Sequence, residues 1–133
     1  MRRRVVVTGM GLVIPTGIGV ETAWRNVCEG KSGIGPLTRF DTNGFETKIA
    51  AEVKNFNPEL YIDKKEIKKM DIFIHYAIAA TKEALEDAQL AITPENAERI
   101  GVIVGTGLGG LPSIERYHKI LLEKGPGRIS PFF

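Results

Sequence analysis

Residues 99–110 read RIGVIVGTGLGG, a β-branched run that breaks abruptly into glycines. A short apolar run without polar alternation suits a strand buried on both faces, as in a parallel or mixed sheet. The glycine loop leads to Pro112, well placed as an early residue of a helix that runs to about Lys124 and ends at Gly125, Pro126 and Gly127. Strand, loop and helix in that order predict an α/β fold, with helices covering the faces of the strands.

Upstream of this stretch, Thr93 and Pro94 suit the N-cap and first position of a short helical turn. Asp63 and Glu66 form a capping-box-like pair. Ile67, Met70, Ile74, Ala77, Ile78, Thr81, Leu85 and Ala88 then mark one face of the longest helix, with a break expected near Met70 and Asp71. Residues 31–61 hold no sustained period and are punctuated by Gly33, Gly35, Pro36, Gly44 and Pro58. A strand is expected there only at 48–54, and so long an irregular segment is expected to fold over a surface or near a site. Val20 to Glu29 carries Val20, Ala23, Trp24, Val27 and Cys28 at helical spacing before Gly30. Arg4 to Met10 (RVVVTGM) is the other expected strand, and Ile129 to Phe133 reads as extended. A sheet normally holds more strands than these, so the chain reads as a piece of a larger layered fold.

Composition bounds the function. With 43% hydrophobic and 26% charged residues, the 133-residue chain has the makeup of one small globular domain, not of a disordered or membrane protein. Its apolar stretches fall short of the ~20 residues needed to cross a bilayer. Arg2, Arg3 and Arg4 before Val5, Val6 and Val7 do not make a secretory signal, because Gly9, Gly11 and Pro15 interrupt the run and no cleavage site follows. The single cysteine, Cys28, excludes an internal disulfide and fits a reducing, cytoplasmic compartment. A net charge of +2 is too small to argue for nucleic acid.

Each chemical motif has a plainer rival. Gly105, Gly107 and Gly110 satisfy G-x-G-x-x-G, in which amides and a helix N-terminus would cradle a pyrophosphate. Glu123, however, falls near the end of the next helix, where a ribose-binding acid belongs at the tip of a second strand. In the first loop, Thr8-Gly9 and Gly17-Ile18-Gly19 stand too far apart for a dehydrogenase motif. Tight turns and close backbone packing explain the glycines of both loops more simply. Lys64, Lys65, Lys68 and Lys69 crowd a helix start, where positive charge opposes the dipole and costs a few tenths of a kcal/mol per residue. Such a patch attracts an acidic protein, or is merely a solvated face. Cys28 reads as a small buried core residue. His75 and His118 stand singly on helices, so neither a metal site nor a catalytic set emerges, and no cofactor is implied.

The segments VVVTGMGLVIPTG, GKSGIG, RFDT, KKEIKKMD, NAERIGVIVGTGLGG and ISPFF, in this order, resemble the N-terminal region of β-ketoacyl-acyl-carrier-protein synthases, and they span essentially the whole chain. Leu108 in GTGLGG resembles the type II, elongating enzymes. The resemblance implies a thiolase fold, an αβαβα layered sandwich of two similar halves that works as a homodimer, incomplete in this chain. It implies decarboxylative condensation of an acyl-enzyme with malonyl-ACP in fatty-acid elongation, through a cysteine and two histidines. Those residues would lie beyond ISPFF, so residues 1–133 would be the portion before the nucleophile and inactive alone. Lys65, Lys68 and Lys69 match positions that hold the acidic acyl-carrier protein, and Arg128 matches part of a second basic contact, although Gly127 stands where a basic residue is often found. Leu108 and Phe133 match an acyl-pocket gate and a residue at the pocket's far end. A non-catalytic carrier-protein-binding module and, behind it, a small dinucleotide-binding domain are the alternatives.

Overall fold

The computed structural model of the chain describes residues 2–131. In chain order the elements are β1 (Val13–Ile14), β2 (Gly17–Ile18), α1 (Val20–Cys28), β3 (Ile34–Pro36), β4 (Ile49–Ala51), α2 (Lys64–Ile67), α3 (Ile72–Asp87) and α4 (Leu111–Lys124). Short 3-10 turns stand at Pro58–Leu60, Ala97–Arg99 and Pro126–Arg128. The helices fall where periodicity places them, and the long one is interrupted between Ile67 and Ile72, at the expected break. The chain forms two compact units, residues 1–57 with 79–92, and residues 58–78 with 93–133.

In the first unit, β1 and β2 form a tight antiparallel ribbon that pairs Val13 with Ile18 and Ile14 with Gly17. The expected strand at 48–54 is realised as β4, which pairs antiparallel with β3 in the register Ile34 to Ala51 and Pro36 to Ile49. The amide of Leu37 donating to the Lys48 carbonyl at 3.0 Å prolongs this ladder, so the irregular segment 31–61 is organised around a hairpin. Glu52 ties down the hairpin's exit. Its carboxylate accepts from the Thr38 hydroxyl at 2.7 Å and from the Thr38 and Arg39 amides.

Gly9 and Gly11 lie against the second half of α3. A Cβ at Gly9 would meet the Ala84 carbonyl oxygen and, at 2.7 Å, the Ala88 side chain; one at Gly11 would meet the Ala80 carbonyl. Ala80, Ala84 and Ala88 recur every four residues and so share one helix face. Backbone therefore packs on backbone along this seam. Carboxylates fix it, since Asp87 Oδ2 accepts from the Met10 amide at 2.8 Å and the two oxygens of Glu83 accept from Leu12 at 2.9 Å and Val20 at 2.7 Å. Val20 opens α1, whose N-cap is Gly19 with no side-chain cap, so Glu83 supplies the cap from another element.

In the second unit, Gly110 precedes α4 in the left-handed region at φ 78°, which glycine adopts without strain. A Cβ on Gly109 would come within 2.8 Å of the Phe73 ring. The packing explanation of these glycines thus holds at Gly9, Gly11, Gly109 and Gly110, while nothing lies within 4 Å of a Cβ built at Gly105 or Gly107.

Several expectations are corrected. Arg4–Met10 and Arg99–Gly105 do not form strands. Val5 is 94% exposed and Ile103 99%. A strand exists only through its ladder partner, and among the described residues neither run has one. The observed sheet is accordingly two antiparallel ribbons, with no parallel pair among the described residues. Cys28 is exposed instead of buried, because it lies about 140° around α1 from Ala23, the helix's buried residue. The capping box does not form, since Asp63 makes no side-chain cap and the Glu66 carboxylate binds Lys69 at 2.6 Å. Ile129 is extended as expected, and Phe133 lies outside the described residues.

Candidate functional site

The lysine cluster occupies a helix of a single turn. Lys64 and Lys65 open α2, Lys68 is its C-cap, and Lys69 follows. Only the first pair therefore opposes the helix dipole, not the whole cluster as a longer helix would have it. Lys64 is drawn to Glu59 at 3.2 Å and Lys69 to Glu66 at 2.6 Å. Among the described residues Lys65 and Lys68 have no ion pair, and both are exposed. Local acids thus offset part of the charge and leave these side chains as the available cations.

Directly after this turn, the chain is held by a histidine. His75 is 7% exposed, the one buried polar side chain among the described residues, and its Nε2 lies 3.1 Å from the Ile67 carbonyl oxygen. The expectation of a structural or surface residue resolves here to a structural one. His118 is exposed on α4.

Arg128 stands in the last 3-10 turn, exposed, and shares a concavity with Ile120 and Lys124 of α4. It lies in the same unit as α2, but no hydrogen bond or ion pair among the described residues joins it to the α2 lysines. Leu108 is 75% exposed in the loop before α4. An apolar groove does exist elsewhere, in the first unit, walled by Met10, Gly11, Leu12, Val20 and Trp24. Glu83 and Asp87, which hold the backbone of its lining residues Met10, Leu12 and Val20, were not singled out from the sequence, where carboxylates are scattered over helix faces. Their signal is their i, i+4 spacing amid Ala80, Ala84 and Ala88.

Cys28 ends α1, at the opposite end from the N-terminus that stabilises a thiolate, and among the described residues no group of three or more histidine, cysteine or acidic side chains could hold a metal. The strand that a pyrophosphate loop requires before Gly105 is not formed. No helix of the described residues is long and apolar enough to cross a membrane.

Comparison with known proteins finds relatives over nearly the whole chain. Residues 2–133 match the family model of the β-ketoacyl synthase N-terminal domain. The 3-oxoacyl-[acyl-carrier-protein] synthase 2 of Vibrio cholerae is 52% identical over 132 residues, covering 99% of this chain and 32% of its own length. The Coxiella burnetii protein of the same name is 48% identical over 132 residues, with the same coverage. The chain thus spans about a third of the length of these relatives. Among solved structures, the ishigamide ketosynthase/chain length factor superposes with a TM-score of 0.78 at 35% identity, over 99% of this chain and 33% of that one. A type II polyketide acyl-carrier protein in complex with its ketosynthase, AntDE:AntF, gives a TM-score of 0.79 at 30% identity, over 99% and 35%.

Proposed function

Because the chain belongs to the β-ketoacyl synthase family, we propose that it is the carrier-protein-recognising portion of a cytoplasmic, homodimeric condensing enzyme of fatty-acid elongation. In that enzyme an acyl group on a cysteine is condensed with malonyl-ACP, with loss of carbon dioxide. The nucleophile and its histidines belong to the part of the relatives' length that this chain does not span, and the chain alone is inactive. Its own cysteine and histidines serve elsewhere: Cys28 is exposed at a helix end, and His75 is engaged by a backbone carbonyl. The layered αβαβα sandwich belongs to that whole enzyme, in which Leu108 gates the acyl chain.

The observation that carries this reading is the exposed Lys65 and Lys68 on α2, free of local ion pairs among the described residues and set to meet an acidic partner. One of the solved ketosynthases noted above is itself held in complex with an acyl-carrier protein. Steady-state condensation is measured on the full-length enzyme that carries this chain, isolated from its source cells, by carbon dioxide release from malonyl-ACP. K65E/K68E is expected to raise KM for malonyl-ACP roughly tenfold, with kcat little changed, as loss of a charge-steered docking contact would. No condensation by that full-length enzyme, or an unchanged KM, defeats the proposal.

A further inference from the structure

We propose that His75 is a positioning residue for carrier-protein recognition, acting by pinning the peptide unit that joins Ile67 to Lys68. This inference rests on the docking role of the α2 lysines. A carbonyl oxygen only accepts, so the 3.1 Å contact with Ile67 requires His75 Nε2 to carry a proton and donate it. The bonded carbonyl belongs to the last residue of α2, and the same peptide plane carries the amide of Lys68. Fixing that plane fixes the backbone from which Lys68 projects.

The turn needs such a restraint. Helix α2 has four residues, far below the length at which a helix holds itself in water. Its N-cap makes no side-chain bond, and Lys64 and Lys65 sit at the wrong end of its dipole. The Ile67 carbonyl receives only a long 3.4 Å bond from the Met70 amide. Against these deficits stands a donor that is almost wholly buried and attached to α3, a helix of sixteen residues. A buried polar side chain facing a backbone carbonyl from eight residues away orders the intervening bend, which includes Lys68 and Lys69.

The test is a titration of the full-length enzyme that carries this chain with a purified type II acyl-carrier protein, alongside amide exchange at Glu66 and Ile67, whose N–H groups bond to Asp63. H75L removes the donor and H75Q keeps an amide N–H at similar reach. H75L is expected to weaken binding roughly three- to tenfold and to speed exchange at both amides, and H75Q to restore both to within about twofold. If H75L binds as the unmodified chain does, or if H75Q fails alongside H75L, His75 does not position the lysines. K65E/K68E separates the premises: if it leaves binding intact, the docking role of α2 fails, whereas binding lost in K65E/K68E and kept in H75L overturns the pinning alone. Should H75L lose its helical circular dichroism, H75Q decides, since a donor that restores fold without restoring affinity also overturns the proposal.

Discussion

At the scale of single residues, Glu83 is the most consequential side chain that sequence periodicity leaves unmarked. Both of its oxygens take backbone amides, one from the ribbon and one from the first residue of α1. Its replacement by alanine leaves two amides without their acceptor, and a charged acceptor for an amide contributes about 1.5–3 kcal/mol. E83A is therefore expected to accelerate amide exchange at Leu12 and Val20 by at least tenfold, while exchange at Ala50 in the hairpin stays unchanged. Equal acceleration at all three would mean that Glu83 stabilises the unit in general, not this joint. Glu52 acts on the hairpin in a comparable way. Hydrogen bonds from the Thr38 side chain, then from the Thr38 amide, hold its carboxyl below the ordinary 4.5. A lowered folded-state pKa adds stability above the unfolded value and loses it as pH falls through the folded one. Amide exchange at Thr38 and Arg39 is accordingly expected to rise as pH drops below about 4.5, beyond the intrinsic pH dependence of exchange, and T38V to weaken that rise.

At the scale of elements, the seam between Gly9, Gly11 and α3 admits no methyl group on either glycine. G11A drives a Cβ into the Ala80 carbonyl, whereas G101A adds its Cβ to open space at an ordinary backbone angle. Limited proteolysis should cut residues 5–20 of G11A much faster than those of the unmodified chain and leave G101A indistinguishable from it. Helices were legible in the sequence because a helix satisfies its own backbone bonds, so Val20–Cys28, the break before Ile72 and the stop at Gly125 follow from local pattern. The strands were not. RVVVTGM and RIGVIVG carry the composition of buried strands, yet pairing is a property of two segments, and no partner among the described residues supplies the second. The site divides along the same line. The lysine cluster is a run that can be read directly, while the hold of His75 on Ile67 is a contact across the break, which local pattern locates without fixing which groups meet there.

At the scale of the molecule, burial is sparse. Ala23 and Ala79 are the buried apolar residues among those described, and no large side chain is fully enclosed. Full burial of one leucine- or valine-sized side chain contributes about 1.5–3 kcal/mol, and here Val6, Val7, Val102, Val104 and Leu122 all remain largely in water. The isolated chain is expected to self-associate or to melt broadly, seen as concentration-dependent sedimentation and a calorimetric trace without a single sharp transition. A monomer with sharp two-state melting would show that the small side chains and carboxylate ties suffice. The chain spans about a third of the length of its curated relatives, and a surface seated on these apolar segments would cover them. The groove of the first unit makes such covering visible. Trp24, the chain's one tryptophan, forms part of its wall and is 66% exposed. Excited where tyrosine does not absorb, it emits as a solvated indole, open to quenching by iodide; a surface closing over the groove would move that emission to the blue and shut the quencher out, so the protein carries its own optical gauge of that contact.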